Sequence, residues 1–329
     1  MFNIGKMTRR GVLGAVAAMV AVAGFTGTAK AEFPEKAIQF IIPFGAGGSA
    51  DIEGRLLADV MSKILGVPVV PVNKTGGGGA VTYTYLKNAK PDGYTIAWNS
   101  TSILTSSSIG NMDFDHTALD HLGQVEYQPM PLYVKAKSKF KTLKDFVDAC
   151  KAAPGTLKIA NSGTGSATHI AAVAIENAIG CKVIHLPVGI KRRNATVLSG
   201  EADAGVGPLS ITNKLTKAKK LRMLAIPSAK HSPIVPKLPT MKELGFDATI
   251  DLFRGLSVPK GTPDAIKQKL SNAMGNAAKS PTFMAYAKKS GFTVEPLSIS
   301  AFNDRLNKEG KIIEGVMKSA GIYKSKKKK

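Results

Sequence analysis

Two short stretches hold the residue types best suited to gripping an anion. One is Gly45-Ala46-Gly47-Gly48-Ser49-Ala50-Asp51; the other is Ser162-Gly163-Thr164-Gly165-Ser166-Ala167-Thr168-His169. Each lies between a short apolar run and a helical pattern, as a strand–loop–helix turn would. A helix start leaves its first amide N–H groups without carbonyl partners and carries about half a unit of positive charge. Glycines let an anion reach the backbone, and Ser49 and Ser166 each add a hydroxyl. Such a site holds a carboxylate without requiring a basic side chain. Taken singly, either loop is equally well a tight turn with no ligand.

Motifs for covalent, phosphoryl or metal chemistry are missing. Neither loop contains Gly-x-x-x-x-Gly-Lys-Ser/Thr or Gly-x-Gly-x-x-Gly, and no Gly-x-Ser-x-Gly surrounds Ser49 or Ser166. His-Glu-x-x-His and Cys-x-x-Cys are absent, and the 5 histidines are dispersed, so no metal or cofactor is expected. His169 and His185 read as structural histidines at a helix start and a strand end, with catalytic bases as the alternative. Cys150 and Cys181 each follow a helix and precede a strand, which puts both at one end of a sheet. In an oxidising compartment they invite a disulfide; two inert buried thiols are the other reading.

The elements around these loops alternate. A strand is expected at 37–43, then a helix carrying Ile52, Leu56, Leu57, Val60, Met61 and Ile64, stopped by Gly66 and Pro68. A strand at 67–72, a glycine loop at 76–79, a helix at 80–87 and a strand at 95–98 follow. The pattern resumes with a helix at 145–152, a strand at 157–160, a helix at 167–179, and strands at 183–186, 204–207 and 221–226. After Thr262-Pro263 the chain reads as helices at 264–279, 283–290 and 300–319. This order predicts an α/β fold of parallel strands flanked by helices, with its ligand crevice at the carboxyl ends of the strands.

The start of the chain is expected to be removed. Lys6, Arg9 and Arg10 precede an apolar run at 12–25, and Ala29-Lys30-Ala31 offers small residues for cleavage. Thr8-Arg9-Arg10-Gly11-Val12-Leu13 is twin-arginine-like, and the run is shorter than the roughly 20 residues that span a bilayer. Residues 1–31 are therefore assigned as a signal peptide and the mature protein as periplasmic. The remaining 298 of 329 residues exceed one typical core. Of the net charge of +22, the leader carries four and Lys324 with Lys326, Lys327, Lys328 and Lys329 five, leaving +13 on the body. That biases the surface toward anions. No stripe of basic and aromatic residues marks a nucleic-acid binder, and the lysine tail reads as a solvated end.

The ordered motifs resemble the periplasmic receptors of tripartite tricarboxylate transporters, the Bug receptors. Phe33-Pro34-Glu35-Lys36-Ala37-Ile38 is similar to that family's opening strand, and Pro43-Phe44 with the residues up to Asp51 to its first ligand loop. Val72-Asn73-Lys74-Thr75 with the glycines at 76–79, Pro91-Asp92-Gly93-Tyr94-Thr95, and Asn161 with the loop to His169 follow in order. His185-Leu186-Pro187, Leu238-Pro239-Thr240 and Pro259-Lys260-Gly261-Thr262-Pro263 complete the set.

The resemblance implies a two-lobed, type II-like periplasmic-binding-protein fold, each lobe a mainly parallel sheet flanked by helices. Lobe 1 would comprise 32–126 and 228–329, and lobe 2 127–227. It implies a monomeric receptor, not an enzyme, that captures a small mono- or dicarboxylate, aromatic acids included. Capture is by lobe closure, with delivery to an integral-membrane permease. The implied ligand-binding set is Phe44, Gly47, Gly48, Ser49, Asp51, Gly78, Asn99, Thr101, Ser162, Gly165, Ser166, His169 and Pro208. Asp51 would organise water or a polar ligand group, or serve only as a first-turn acid favoured by the helix dipole. The chain departs from the family at Val188-Gly189-Ile190-Lys191-Arg192-Arg193, where an aromatic residue and glycine are usual. It departs again at Phe253-Arg254-Gly255, where tryptophan usually precedes the glycine. Arg192, Arg193 and Arg254 are thus candidates for a second anionic group, or else solvated surface arginines. Two other classes stay open: an enzyme on a similar scaffold with His169 or His185 as base, and a nucleic-acid or membrane-surface binder acting through the lysine tail.

Overall fold

Short β-branched runs make the strands and capped amphipathic stretches make the helices. In the computed structural model, which describes residues 32–325, β1 (Ile38–Ile42) is buried at every position but Gln39, as a strand covered on both faces must be. Helix α1 (Ser49–Leu65) ends on Gly66 in the left-handed conformation at φ 71°. β2 (Val69–Asn73), α2 (Ala80–Lys87), β3 (Thr95–Ser100) and a short α3 (Ser102–Ser108) follow. β4 (Leu119–Pro129) leads into β5 (Leu132–Lys135). Helix α4 (Leu143–Ala152) opens with a reciprocal cap: Thr142 Oγ1 accepts from the Asp145 amide, and the Asp145 carboxylate accepts from the Thr142 amide. Next come β6 (Lys158–Asn161), α5 (Ala167–Ile179), β7 (Ile184–Pro187), α6 (Gly189–Ser199), β8 (Ala204–Val206), α7 (Leu209–Lys217) and β9 (Leu221–Ala225). The chain closes with β10 (Asp251–Pro259), α8 (Asp264–Ala278), α9 (Pro281–Ser290), β11 (Thr293–Leu297) and α10 (Ile299–Ser319).

The strands form two sheets, in the orders β11-β4-β10-β3-β1-β2 and β7-β6-β8-β5-β9. β1 pairs in parallel with β2 and β3, and β6 in parallel with β7 and β8. These are the parallel strands the sequence predicts. Antiparallel strands join them, so both sheets are mixed: β10 runs against β3 and β4, β11 against β4, and β5 against β8 and β9. The route of the chain explains this. β4 runs in the same direction as β1 and β3 and crosses to the second sheet between Pro129 and Leu132. The chain returns between Ala225 and Asp251, so β10 enters the first sheet from the end by which β4 left it.

These elements belong to one compact unit that begins at Lys36. A buried apolar cluster links Ile41 and Tyr83 of the first group with Leu132, Ile159 and Ile170 of the second. The expected leader at 1–31 and the last four lysines at 326–329 lie outside the described residues. Among the described residues, no helix is long and apolar enough to cross a membrane.

Cys150, in α4, and Cys181, just after α5, are bridged, with Cα atoms 6.1 Å apart. The bond closes a loop with a sequence separation of 31, which constrains the unfolded chain by about 3–4 kcal/mol. Reduction and alkylation should lower unfolding stability by about that amount in urea titrations. A loss below about 1 kcal/mol would contradict this role for the bridge.

Candidate functional site

The loop after β1 delivers α1 and the loop after β6 delivers α5, so both helices begin at carboxyl ends of parallel strands in different sheets. Ser49 and Ala50, the first two residues of α1, and Ala167 and Thr168, the first two of α5, line one cavity of about 30 Å³. Amides at these positions have no intrahelical carbonyl to bond, and each helix turns its positive end toward the cavity. Ser100, Ser162, Ser166, Pro208 and Leu252 complete much of the wall. The space suits about two waters or one carboxylate group.

A wider chamber of about 490 Å³ shares Phe44, Ser162 and Ile190 with it. Its walls are the glycines at 76–79, Asn111, Gly163-Thr164 and the turn at 187–191, and Lys191 is its one charged lining residue among those described. Among the described residues, no acid lines either space.

The three arginines separate clearly. Arg192 is exposed and faces Glu201 at 3.4 Å, away from both cavities. Arg254, on β10, is 2% exposed. Its Nε lies 2.8 Å from Glu53 and 3.1 Å from Glu126, and its Nη2 donates to Ser49 Oγ at 2.7 Å. Burial, then the neighbouring charge of Glu53, pushes the Glu126 carboxyl well above its usual range, so the protonated form of Glu126 is favoured beside the Arg254 guanidinium. Arg254 thus orients the Ser49 hydroxyl, and its charge is spent within the protein. Arg193, on α6, is also 2% exposed and lines the inner cavity. Its Nη1 donates to Ser162 Oγ at 2.6 Å and its Nε to the Tyr133 hydroxyl at 3.3 Å. Among the described residues it forms no ion pair.

The remaining candidates fall into groups. Phe44, Ser49, Ser162, Ser166 and Pro208 line the inner cavity with Arg193 and Arg254, and Gly78 lines the outer chamber. Gly47, Gly48, Asp51, Asn99, Thr101, Gly165, His169 and Arg192 line neither. Asp51 accepts from the Gly47 amide, Arg55 Nε and Asn73 Nδ2. Burial works to raise its pKa, but these bonds together hold it below its ordinary value. Its oxygens are therefore engaged in shaping the first loop. Asn99 donates to Ser257, and Thr101 Oγ1 donates to the Asp251 carbonyl while accepting from the Phe253 amide. His169 Nδ1 accepts from the Gly165 amide. Burial, then the nearby His185, lowers the His169 pKa to about 4, so it stays neutral and props the second loop from behind. Gly48 and Gly165 are points of close approach: a Cβ on Gly48 would stand 2.7 Å from Ile190.

Ala50, Ala167 and Thr168 fall within the two loops the sequence singles out but not in the implied ligand-binding set; their places at the two helix starts could have named them, since they line the cavity there. Ser100, Ile190 and Leu252 carry no signal of their own; the fold alone brings them here. Among the described residues, no group of His, Cys, Asp and Glu side chains could hold a metal ion.

A sequence model of the tripartite tricarboxylate transporter family receptor matches residues 54–317. The chain belongs to this receptor family. It is 31% identical over 292 residues to the UPF0065 protein in gbd 5'region of Cupriavidus necator, covering 88% of each chain. The periplasmic binding protein BugD has the same two-lobed fold at a TM-score of 0.83 and 26% identity, over 88% of this chain and 99% of that one. An R. palustris protein solved with adipate matches at a TM-score of 0.84 and 22% identity, over 89% of this chain and 99% of that one. Arg193 and Arg254, two of the three arginines expected to meet a second anionic group, both sit on the inner cavity.

The buried Arg254 cluster supports the first helix start, which sets its mutational behaviour. Arg254→Met leaves buried acids without counter-charge and should cost about 3–5 kcal/mol. Glu126→Gln copies the protonated acid and should cost less than about 1 kcal/mol at pH 5. An acid with a raised folded-state pKa contributes stability that is full below its unfolded pKa and declines as pH rises past it. The Gln variant should therefore lose less stability than wild type between pH 5 and pH 8. Urea unfolding at the two pH values reads this, and an equal or steeper decline in the variant would show Glu126 to be ionised.

Proposed function

We propose that this receptor captures a small mono- or dicarboxylate in the periplasm and delivers it unchanged to the membrane permease of a tripartite tricarboxylate transporter. The observation that carries the reading is the convergence of four helix-start residues on one small cavity with, among the described residues, no acid on its wall. Unpartnered amides at two positive helix ends favour an anion there and disfavour a neutral or cationic guest. The adipate bound by the R. palustris protein of like fold supports a dicarboxylate. The outer chamber has room for a carbon chain and a second acidic group near Lys191.

Lobe closure supplies the capture step: ligand contacts from both sides favour the closed arrangement by their differential affinity for it. Gly78 is at the meeting point, with φ at 68° and its missing Cβ directed at Gly165 C, 2.7 Å away. An enzymatic reading finds less support. His169 is neutral and engaged with Gly165, and His185 Nε2 is paired with Glu176 at 2.5 Å; neither lines the cavity.

Two measurements test the proposal. Native mass spectrometry of protein purified from its host, followed by calorimetry with the acid identified, should give one molecule per chain and no product after prolonged incubation. Turnover, or stoichiometric capture of a neutral or cationic compound, would refute it. Gly78→Ala should weaken that acid's affinity at least about tenfold, because the methyl group wedges the two loops apart. Unchanged affinity would show that the loops need not meet.

A further inference from the structure

We propose that Arg193 makes full ionisation of the ligand's inner end obligatory, so that this chain separates an acid from the corresponding amide through one buried guanidinium. The inference rests on the inner cavity being a carboxylate seat, and it adds a charge requirement that helix-start amides do not impose.

Arg193 is built into the cavity wall. Tyr133 donates its hydroxyl proton to Asn194 Oδ1 at 2.6 Å, which leaves the phenol oxygen to accept from Arg193 Nε. Ser162 Oγ receives Nη1. Gly207 makes room for the group: a Cβ there would stand 2.8 Å from the guanidinium carbon. Both partners are neutral. Burial pushes the Tyr133 phenol up from its ordinary value, so it supplies no phenolate. Among the described residues, Nη2 makes no hydrogen bond and no carboxylate pairs with the side chain. The helix starts on either side add potential of the same sign. A desolvated cation in such a place needs its counter-charge from outside the chain.

Donor directions reinforce the charge. The guanidinium N–H groups and the amides at Ser49, Ala50, Ala167 and Thr168 are all donors. A carboxylate offers acceptors on both oxygens, whereas a primary amide must turn an NH2 group toward other donors. Loss of a buried charge partner costs a binding site about 30-fold or more in affinity. Arg254 does not share this role, since Glu53 already compensates it, and Arg192 lies away from both spaces.

The test needs only the smallest probes of the seat. Thermal unfolding of the whole mature protein would be followed against acetate and acetamide, for wild type, Arg193→Gln and Arg193→Lys, at constant ionic strength. Acetate should stabilise the wild type and acetamide should not. Arg193→Gln should lose about 30-fold or more in apparent acetate affinity, and its acid-over-amide preference should vanish. Arg193→Lys should keep part of that preference. Without any probe, Arg193→Gln should melt no lower than wild type, because an uncompensated buried charge has been removed. If the Gln variant binds acetate as wild type does, the charge requirement is overturned while the carboxylate seat stands. If acetate stabilises none of the proteins, the seat falls and the inference with it. If neither variant folds, Arg193 is a structural residue and the inference is wrong.

Discussion

A concentration of positive potential, with no acid on the wall among the described residues, governs the candidate site. Two helices begin at the cavity, their first amides unpartnered, and Arg193 adds a full charge with only neutral hydroxyls around it. In water each of these groups would be solvated. Packed together between two sheets, they leave a positive potential that a bound anion would offset. The glycine loops, the short serine side chains and, among the described residues, the acid-free wall leave that potential open to the cavity.

The charged cluster beneath the first helix start obeys the opposite rule. Arg254, Glu53, Glu126 and Gln128 are all buried, and they satisfy one another through the Arg254 contacts to both acids and bonds from Gln128 to each. Gln128 Oε1 also accepts from the Ser210 amide, so the cluster reaches from the strand that leaves the first sheet to the helix start after β8. Two arginines of equal burial thus have different fates, decided by whether an acid stands next to them.

The sequence shows the parallel half of the fold well. α1 and α5 announce themselves through apolar periodicity and glycine stops, and both match the expected spans closely. β4 and β10 escape notice for a physical reason. His121, Gln124, Glu126, Gln128 and Arg254 are polar residues in fully covered strands, and only partners from distant parts of the chain make their burial tolerable. α6 was hidden in a similar way, since much of its surface is exposed and its basic residues mask the pattern. The choice between Arg192 and Arg193 was likewise unavailable: neighbours on a helix point to different faces, and which face looks inward depends on where β6 and β8 sit. Asp51, Asn99, Thr101 and His169 belong to the set the family resemblance implies, and the structure shows their side chains bonded to loops and strands.

Amide chemical shifts during a titration test the central claim most directly. With uniformly 15N-labelled protein and the carboxylate it carries from its host, the largest changes should fall on the amides of Ser49, Ala50, Ala167 and Thr168, saturating together at one equivalent. Shifts centred instead on the separate cavity lined by Tyr127, Asp251 and Arg305, with those four amides unmoved, would contradict it.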